Sequence, residues 1–412
     1  MEATEAQAEL RRRALEYHSR PPAGKLAVIP SKSCKSQDDL SLAYTPGVAA
    51  PVREIAANPE KAYDYTGKGN LVAVVSNGTA VLGLGNVGPL AGKPVMEGKA
   101  LLFKHFADID AFDIEVQTRN AEHLIDVVAA IAPGFGGINL EDIAAPLCFQ
   151  VEEALQKMLD IPVFHDDQHG TAVIVAAALQ NALELQNKTF NTIKVAIVGA
   201  GAAGLAIARM LRALGVTAVY LSDVHGVLHE GRNDLTHWHH AFATAPAHWT
   251  LDDMLEGADV LIGVSVRGAI PESALPGLAP RPVIFALANP DPEIDPAVVK
   301  HLRPDAIMAT GRSDMPNQVN NVLGFPFLFR GALDCRARQI NQAMLLAAVD
   351  ALARLAREPV PDEVQQAYGF SEPAILQFGP EYFIPKPLDP RLRQWVAGAV
   401  TAAARKSGVA RI

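Results

Sequence analysis

Short apolar runs alternate with stretches of helical spacing along most of the chain. Leu71–Ser76 (LVAVVS) and residues 111–116 (AFDIEV) are rich in β-branched and aromatic side chains and predict strands. Ala121–Ile131 carries apolar positions at helical intervals and stops at Pro133-Gly134. Residues 151–159 predict a second helix and residues 161–164 a short strand. A long helix is expected over Thr171–Leu185. Beyond it, strands are expected at residues 193–198, 218–221, 259–263, 283–287 and 306–309, with helices in the gaps. Strand, crossover helix and strand in this rhythm predict an α/β protein with a parallel, doubly wound sheet. The tail predicts amphipathic helices over 336–356 and 391–405, separated by a proline-rich stretch. It is expected to pack back on the first domain or on a second subunit.

Composition narrows the class. The chain has 412 residues, enough for two domains, with 49% hydrophobic and 20% charged residues. A formal net charge of −9 argues against nucleic acid or an anionic membrane as partner. No run of eighteen apolar residues occurs, and the charged N-terminus (MEATEAQAELRRRALEYHS) lacks a signal-peptide core and predicts a short amphipathic helix. Cys34, Cys148 and Cys335 are far apart and form no C-x-x-C, so neither a disulfide framework nor a thiolate zinc site is expected. A cytoplasmic location is the expectation.

The motif G-x-G-x-x-G occurs twice. Gly83-Leu-Gly85-Asn-Val-Gly88 is followed by Pro89 and Pro94, which predicts that no helix starts directly behind it. A loop shaping a cleft is expected there instead. Gly199-Ala-Gly201-Ala202-Ala203-Gly204 follows the strand KVAIV and opens a helical segment, the context a dinucleotide fingerprint needs. Gly201 would allow close backbone approach to a pyrophosphate, and Gly204 close helix–strand packing. Asp223 stands where an acid meets the adenosine ribose, which favours NAD; His225 and Arg232 nearby can offset a 2′-phosphate, so NADP stays open.

Two acidic pairs, Glu141-Asp142 and Asp166-Asp167, follow segments that look like strand ends. Carboxylates at strand ends can converge, and three or more oxygen ligands suit Mg²⁺ or Mn²⁺. Helix capping by Asp167 and a turn at Asp142 are the bland alternatives. His165 and His169 lack a third nitrogen or sulfur ligand for zinc and are expected to line the site.

The segments SLAYTPGVA, GKPVMEGKALLFK, INLEDI, FHDDQHGTA and RSDMPNQVNNVLGFPFLFRGALD, in this order, resemble the bacterial malic enzymes. The length is similar to the short form without an acyltransferase-like C-terminal extension. The resemblance implies an N-terminal catalytic domain (1–164) for substrate and metal, a Rossmann NAD(P)-binding domain (165–335) and a helical tail (336–412). It implies metal-dependent oxidative decarboxylation of L-malate to pyruvate and CO₂ with reduction of NAD(P)⁺, and oxaloacetate decarboxylation as a side activity. A homodimer or higher homo-oligomer is also implied.

By the same resemblance the general base falls on Lys99, with Lys104 a rival, and the general acid on Tyr44. Glu141, Asp142 and Asp167 match metal ligands, and Asp166 a partner of Lys99. Asn289, Asn320 and Asn321 match amides near the nicotinamide ribose and substrate. A lysine between a metal and a nicotinamide cation is expected to have its basicity lowered. Two departures stand out. The arginine that larger malic enzymes carry before Gly-Leu-Gly is replaced by Thr79-Ala80-Val81-Leu82, and Arg267 stands in a loop where proline is usual. Competing readings are an amino-acid-type NAD(P) dehydrogenase, which needs no acidic cluster, and a catalytically silent nucleotide-binding subunit.

Overall fold

The computed structural model describes residues 5–370 and 375–412. Four parallel strands, β1 (Leu71–Ser76), β2 (Asp110–Glu115), β3 (Gly137–Leu140) and β4 (Val163–His165), form one sheet in the order β2-β1-β3-β4. A second sheet holds β5 (Lys194–Val198), β6 (Ala218–Asp223), β7 (Gly226–Val227), β8 (Val260–Gly263), β9 (Val283–Ala286) and β10 (Ile307–Thr310), in the order β10-β9-β8-β5-β6-β7. Its described pairings are parallel except for the short β7. β3, β8 and β9 are buried at every position, because helices cover both faces, and apart from Asn139 in β3 their sequences run apolar without alternation. From β5 the chain proceeds to β6 on one side and later to β8 on the other. The crevice of a doubly wound sheet therefore opens beyond the carboxyl ends of β5 and β8.

Helix Thr171–Leu185 runs through the core, with helices Ala202–Ala213 and Gln342–Leu355 packed against it. Its buried Asn181 donates from Nδ2 to the carbonyls of Ala353 and Phe383, both at 2.9 Å, and accepts from Arg357 Nε at 2.9 Å. The C-terminal tail is thus fastened to the body of its own chain.

Three expectations need correction. A helix, Pro89–Ala107, does begin directly behind the first glycine fingerprint. Proline at its first position loses no intrahelical bond, and Pro94 removes only the bond to the carbonyl of Leu90, an 82% exposed residue. The helix expected over 336–356 starts only at Gln342. Arg336 adopts φ 47°, which ends the preceding helix Phe325–Asp334, and the Asn341 side chain caps the new one by accepting from Met344 N–H at 3.1 Å. β4 begins two residues late and ends at His165.

The N-terminal segment is unlike the rest. Among its described side chains from 5 to 70 none is buried, although helices form at Glu5–Ser19 and Gln37–Ala43. It meets the body at Lys25, whose N–H donates to Glu97 at 2.9 Å and whose ammonium donates to the Pro94 carbonyl at 2.7 Å.

Candidate active site

β3 and β4 are neighbours in register, with Leu140 opposite His165. The residues that follow, Glu141-Asp142 and Asp166-Asp167, therefore emerge side by side at one sheet edge. Asp142 takes φ 53°, a costly left-handed conformation that is held from both sides. Its N–H donates to Asp167 Oδ2 at 2.9 Å, while its carbonyl accepts from Thr79 and Ala80 N–H at 3.1 and 3.0 Å. Ligand oxygens of Glu141, Asp142 and Asp167 all lie within 4.8 Å of one another. Burial pushes the Glu141 and Asp167 carboxyls above their ordinary values. Three acids gathered this closely suit a divalent cation.

Lys99 projects from helix Pro89–Ala107 into the same place and is only 6% exposed. Its ammonium donates to Asp166 Oδ2 at 2.5 Å, meets Glu141 Oε1 at 2.8 Å, and lies 3.9 Å from the centre of the Phe325 ring. Burial works against this ammonium, but Asp166 and Glu141 outweigh it and hold the lysine above its ordinary value. The expectation of a lowered basicity does not hold for the protein alone, because the same carboxylates that face the ligand cluster pair with the lysine. Burial pushes Asp166 up to about 8, with Lys99 pulling against it and Glu141 adding to it. Asn321 Nδ2 donates to Asp166 Oδ2 at 2.5 Å. The five-residue π turn Asp166–Gly170 needs glycine at its end, since a methyl there would collide with Asp166 Oδ1.

The second glycine fingerprint closes the other wall. Gly199 has φ 118° and lies against the Val264 carbonyl, while Gly204 packs against the carbonyl of Gly199. Gly201 has open space where a side chain would be, and helix Ala202–Ala213 starts behind it with no side-chain cap. Its first N–H groups are available to an anion. A cleft of about 790 Å³ brings together Lys99, Glu141, Asp142, Asp167, the fingerprint residues Gly201, Ala202 and Ala203, and Asn289, Asn320 and Asn321. Asn320 Oδ1 accepts from Val322 N–H at 3.0 Å, leaving its NH₂ as a donor. Asp223 ends β6 and is gripped by Arg232 through two bonds of 2.9 and 2.8 Å; its Oδ1 also accepts from His225 N–H at 2.8 Å.

Two family models match the chain: the malic enzyme N-terminal domain over residues 23–156 and the malic enzyme NAD-binding domain over residues 168–368. The NADP-dependent malic enzyme of Halomonas elongata is 54% identical over 97% of this chain and 95% of its own length. The chain belongs to the malic enzyme family. The NADP-dependent malic enzyme of Rhizobium meliloti is 55% identical over 97% of this chain but 52% of its own, so the chain spans about half the length of that relative. A crystal structure of malic enzyme from Pyrococcus horikoshii superimposes with TM-score 0.88 at 45% identity, covering 98% of this chain and 92% of that one.

Against the malic enzyme expectations, Tyr44 is not in the cleft. It caps the C-terminus of helix Gln37–Ala43 and is 70% exposed. Lys104 is also elsewhere, exposed and paired with Asp108 and Asp110. His165 is fully buried 3.8 Å behind Asp167, and burial lowers it to about 4; His169 pairs with Glu152 at 3.0 Å. Cys34 is exposed, while Cys148 and Cys335 are buried. The Thr79-Ala80 stretch that replaces the family arginine braces Asp142 with its N–H groups, and no arginine is among the described cleft residues. Arg267 is exposed and reaches Asp291 at 3.3 Å.

Some contributors escaped the sequence reading. Asn139 Nδ2 donates to Glu141 Oε2 at 2.9 Å. A signal existed, since Asn139 is the one polar residue of strand GINL and shares a face with Glu141 two positions on. Phe325 under Lys99 and Glu152 behind the acidic turn left no local signal.

Proposed function

We propose that the chain oxidises L-malate at C2 with NAD(P)⁺ and decarboxylates the product to pyruvate and CO₂, with oxaloacetate decarboxylation as a side activity. The single cleft that holds the three-carboxylate cluster, Lys99 and the fingerprint helix supports this reading. Mg²⁺ or Mn²⁺ held by Glu141, Asp142 and Asp167 would supply Lewis-acid chemistry, polarising the C2 oxygen and stabilising the enolate left by CO₂. Glu141 belongs to that cluster and also pairs with Lys99, so a bound cation would compete with the lysine for its charge. Lys99 first passes an ammonium proton to Asp166, 2.5 Å away, and the neutral amine then takes the C2 hydroxyl proton as hydride leaves. Asn320 and Asn289 donate to malate carboxylate oxygens in place of the missing arginine. Gly201, Ala202 and Ala203 present backbone to the pyrophosphate, and Asp223 faces the adenosine ribose. A malate assay with NAD⁺ and with NADP⁺, each with Mn²⁺ or EDTA, tests the reading; undiminished turnover in EDTA would overturn it.

Tyr44 serves as the acid for enolpyruvate only if something carries it to a cleft. We propose a homodimer or higher homo-oligomer in which a second copy covers the N-terminal segment. Leu10, Leu15, Val28, Ile29, Leu42 and Val52 of that segment are each more than half exposed, and none of its described side chains is buried. Leu42→Glu with Val52→Glu should lower the sedimentation coefficient and activity together; unchanged sedimentation would refute the covering. Among the described residues no helix is long and apolar enough to cross a membrane. A cytoplasmic location, and the division into 1–164, 165–335 and 336–412, remain part of this proposal.

A further inference from the structure

Glu293 is a fully buried carboxylate that the proposed chemistry does not use. Among the described residues it forms no ion pair, and a buried charge without a cation is costly unless other donors satisfy it. Two backbone donors do so. Its Oε1 accepts from Ser265 N–H at 2.7 Å, and its Oε2 accepts from Ala288 N–H at 3.0 Å. Ser265 lies in the loop after β8 and Ala288 in the loop after β9, and both line the cleft. The last residue of β8, Gly263, makes room for the carboxylate, since a methyl there would stand 2.5 Å from Glu293 Cδ. An apolar residue would fill this space at lower cost but could not bond both loops at once.

We propose that Glu293 is a positioning residue for the dinucleotide, fixing the loops after β8 and β9 as one wall opposite the fingerprint helix. This rests on the reading that the cleft binds NAD(P). Ser265 and Asn289, which immediately follows Ala288, take their places from this carboxylate. Glutamine at 293 keeps the size but offers an NH₂ to one of the two N–H groups, so only one bond survives.

The test is fluorescence titration of wild type, Glu293→Gln and Gly263→Ala with NADH and NADPH, with Mn²⁺ binding followed by electron paramagnetic resonance. The metal cluster lies on the other sheet and shares no bond with Glu293. The expected result is a Kd for reduced dinucleotide raised about tenfold or more in both variants, with Mn²⁺ affinity within about twofold of wild type. Wild type that binds neither nucleotide would overturn the cleft reading itself. Wild type that binds, with variants within about twofold of it, would overturn only the role of Glu293. Parallel loss of Mn²⁺ and dinucleotide binding would also overturn it, by showing a merely structural part. Should the glutamine variant fail to fold, Gly263→Ala displaces the same carboxylate and decides the matter.

Discussion

Replacing Lys99 by methionine tests the electrostatics of the site most directly. The substitution keeps the bulk of the side chain against Phe325 but leaves Asp166 and Glu141 together without their cation. Removing one partner of a buried ion pair costs about 3–5 kcal/mol. The cost must vary with pH. Asp166 already takes its proton near 8, far above an unfolded carboxylate, and the ammonium is what restrains it from rising further. Without Lys99 the folded variant binds more protons than wild type, so its relative stability falls as pH rises, by up to about 1.4 kcal/mol per unit for each extra proton. In EDTA, urea unfolding should show a gap of about 3–5 kcal/mol near pH 9.5 that narrows toward pH 8, where wild type also takes up the Asp166 proton. The same variant should not oxidise malate but should bind NADH or NADPH within about threefold of wild type. A gap below about 1 kcal/mol near pH 9.5, or one that widens on acidification, would refute the reasoning.

Other outcomes follow from the same geometry. Gly204→Ala drives a methyl into the Gly199 carbonyl and should lower the unfolding midpoint, whereas Gly201→Ala has room and should leave stability unchanged while weakening dinucleotide binding; calorimetry and fluorescence titration separate the two. Asp167→Asn removes a charge from the ligand cluster and should weaken Mn²⁺ binding about tenfold or more by electron paramagnetic resonance. Asp223→Ser takes an anion from the ribose site and frees Arg232 from it, so the ratio of kcat/KM for NADP⁺ over NAD⁺ should rise by about tenfold.

Most strands and helices were legible because burial on both faces of a parallel sheet produces apolar runs that need no tertiary context to recognise. The errors fell where local rules depend on position. Pro89 does not forbid a helix, because the first helical position has no bond to lose. The helix expected over 336–356 begins later because periodicity does not register a left-handed residue such as Arg336.

For the site, the sequence by itself determined the chemical inventory. The acidic pairs stood at strand ends, one fingerprint followed a strand and opened a helix, and the order of motifs pointed to the malic enzyme family that the relatives then showed. Only tertiary structure decided who meets whom. The register of β3 against β4 turns two distant acidic pairs into one cluster, and a helix from elsewhere in the chain brings Lys99 to it. Burial likewise set the protonation of that cluster: the lysine is held charged by the carboxylates around it, where sequence reasoning expected a weaker base. The exposure of Tyr44 belongs here too. A residue's chemistry is local and readable from its name, but proximity and dielectric are properties of the packed whole, and these fix what the chemistry can do.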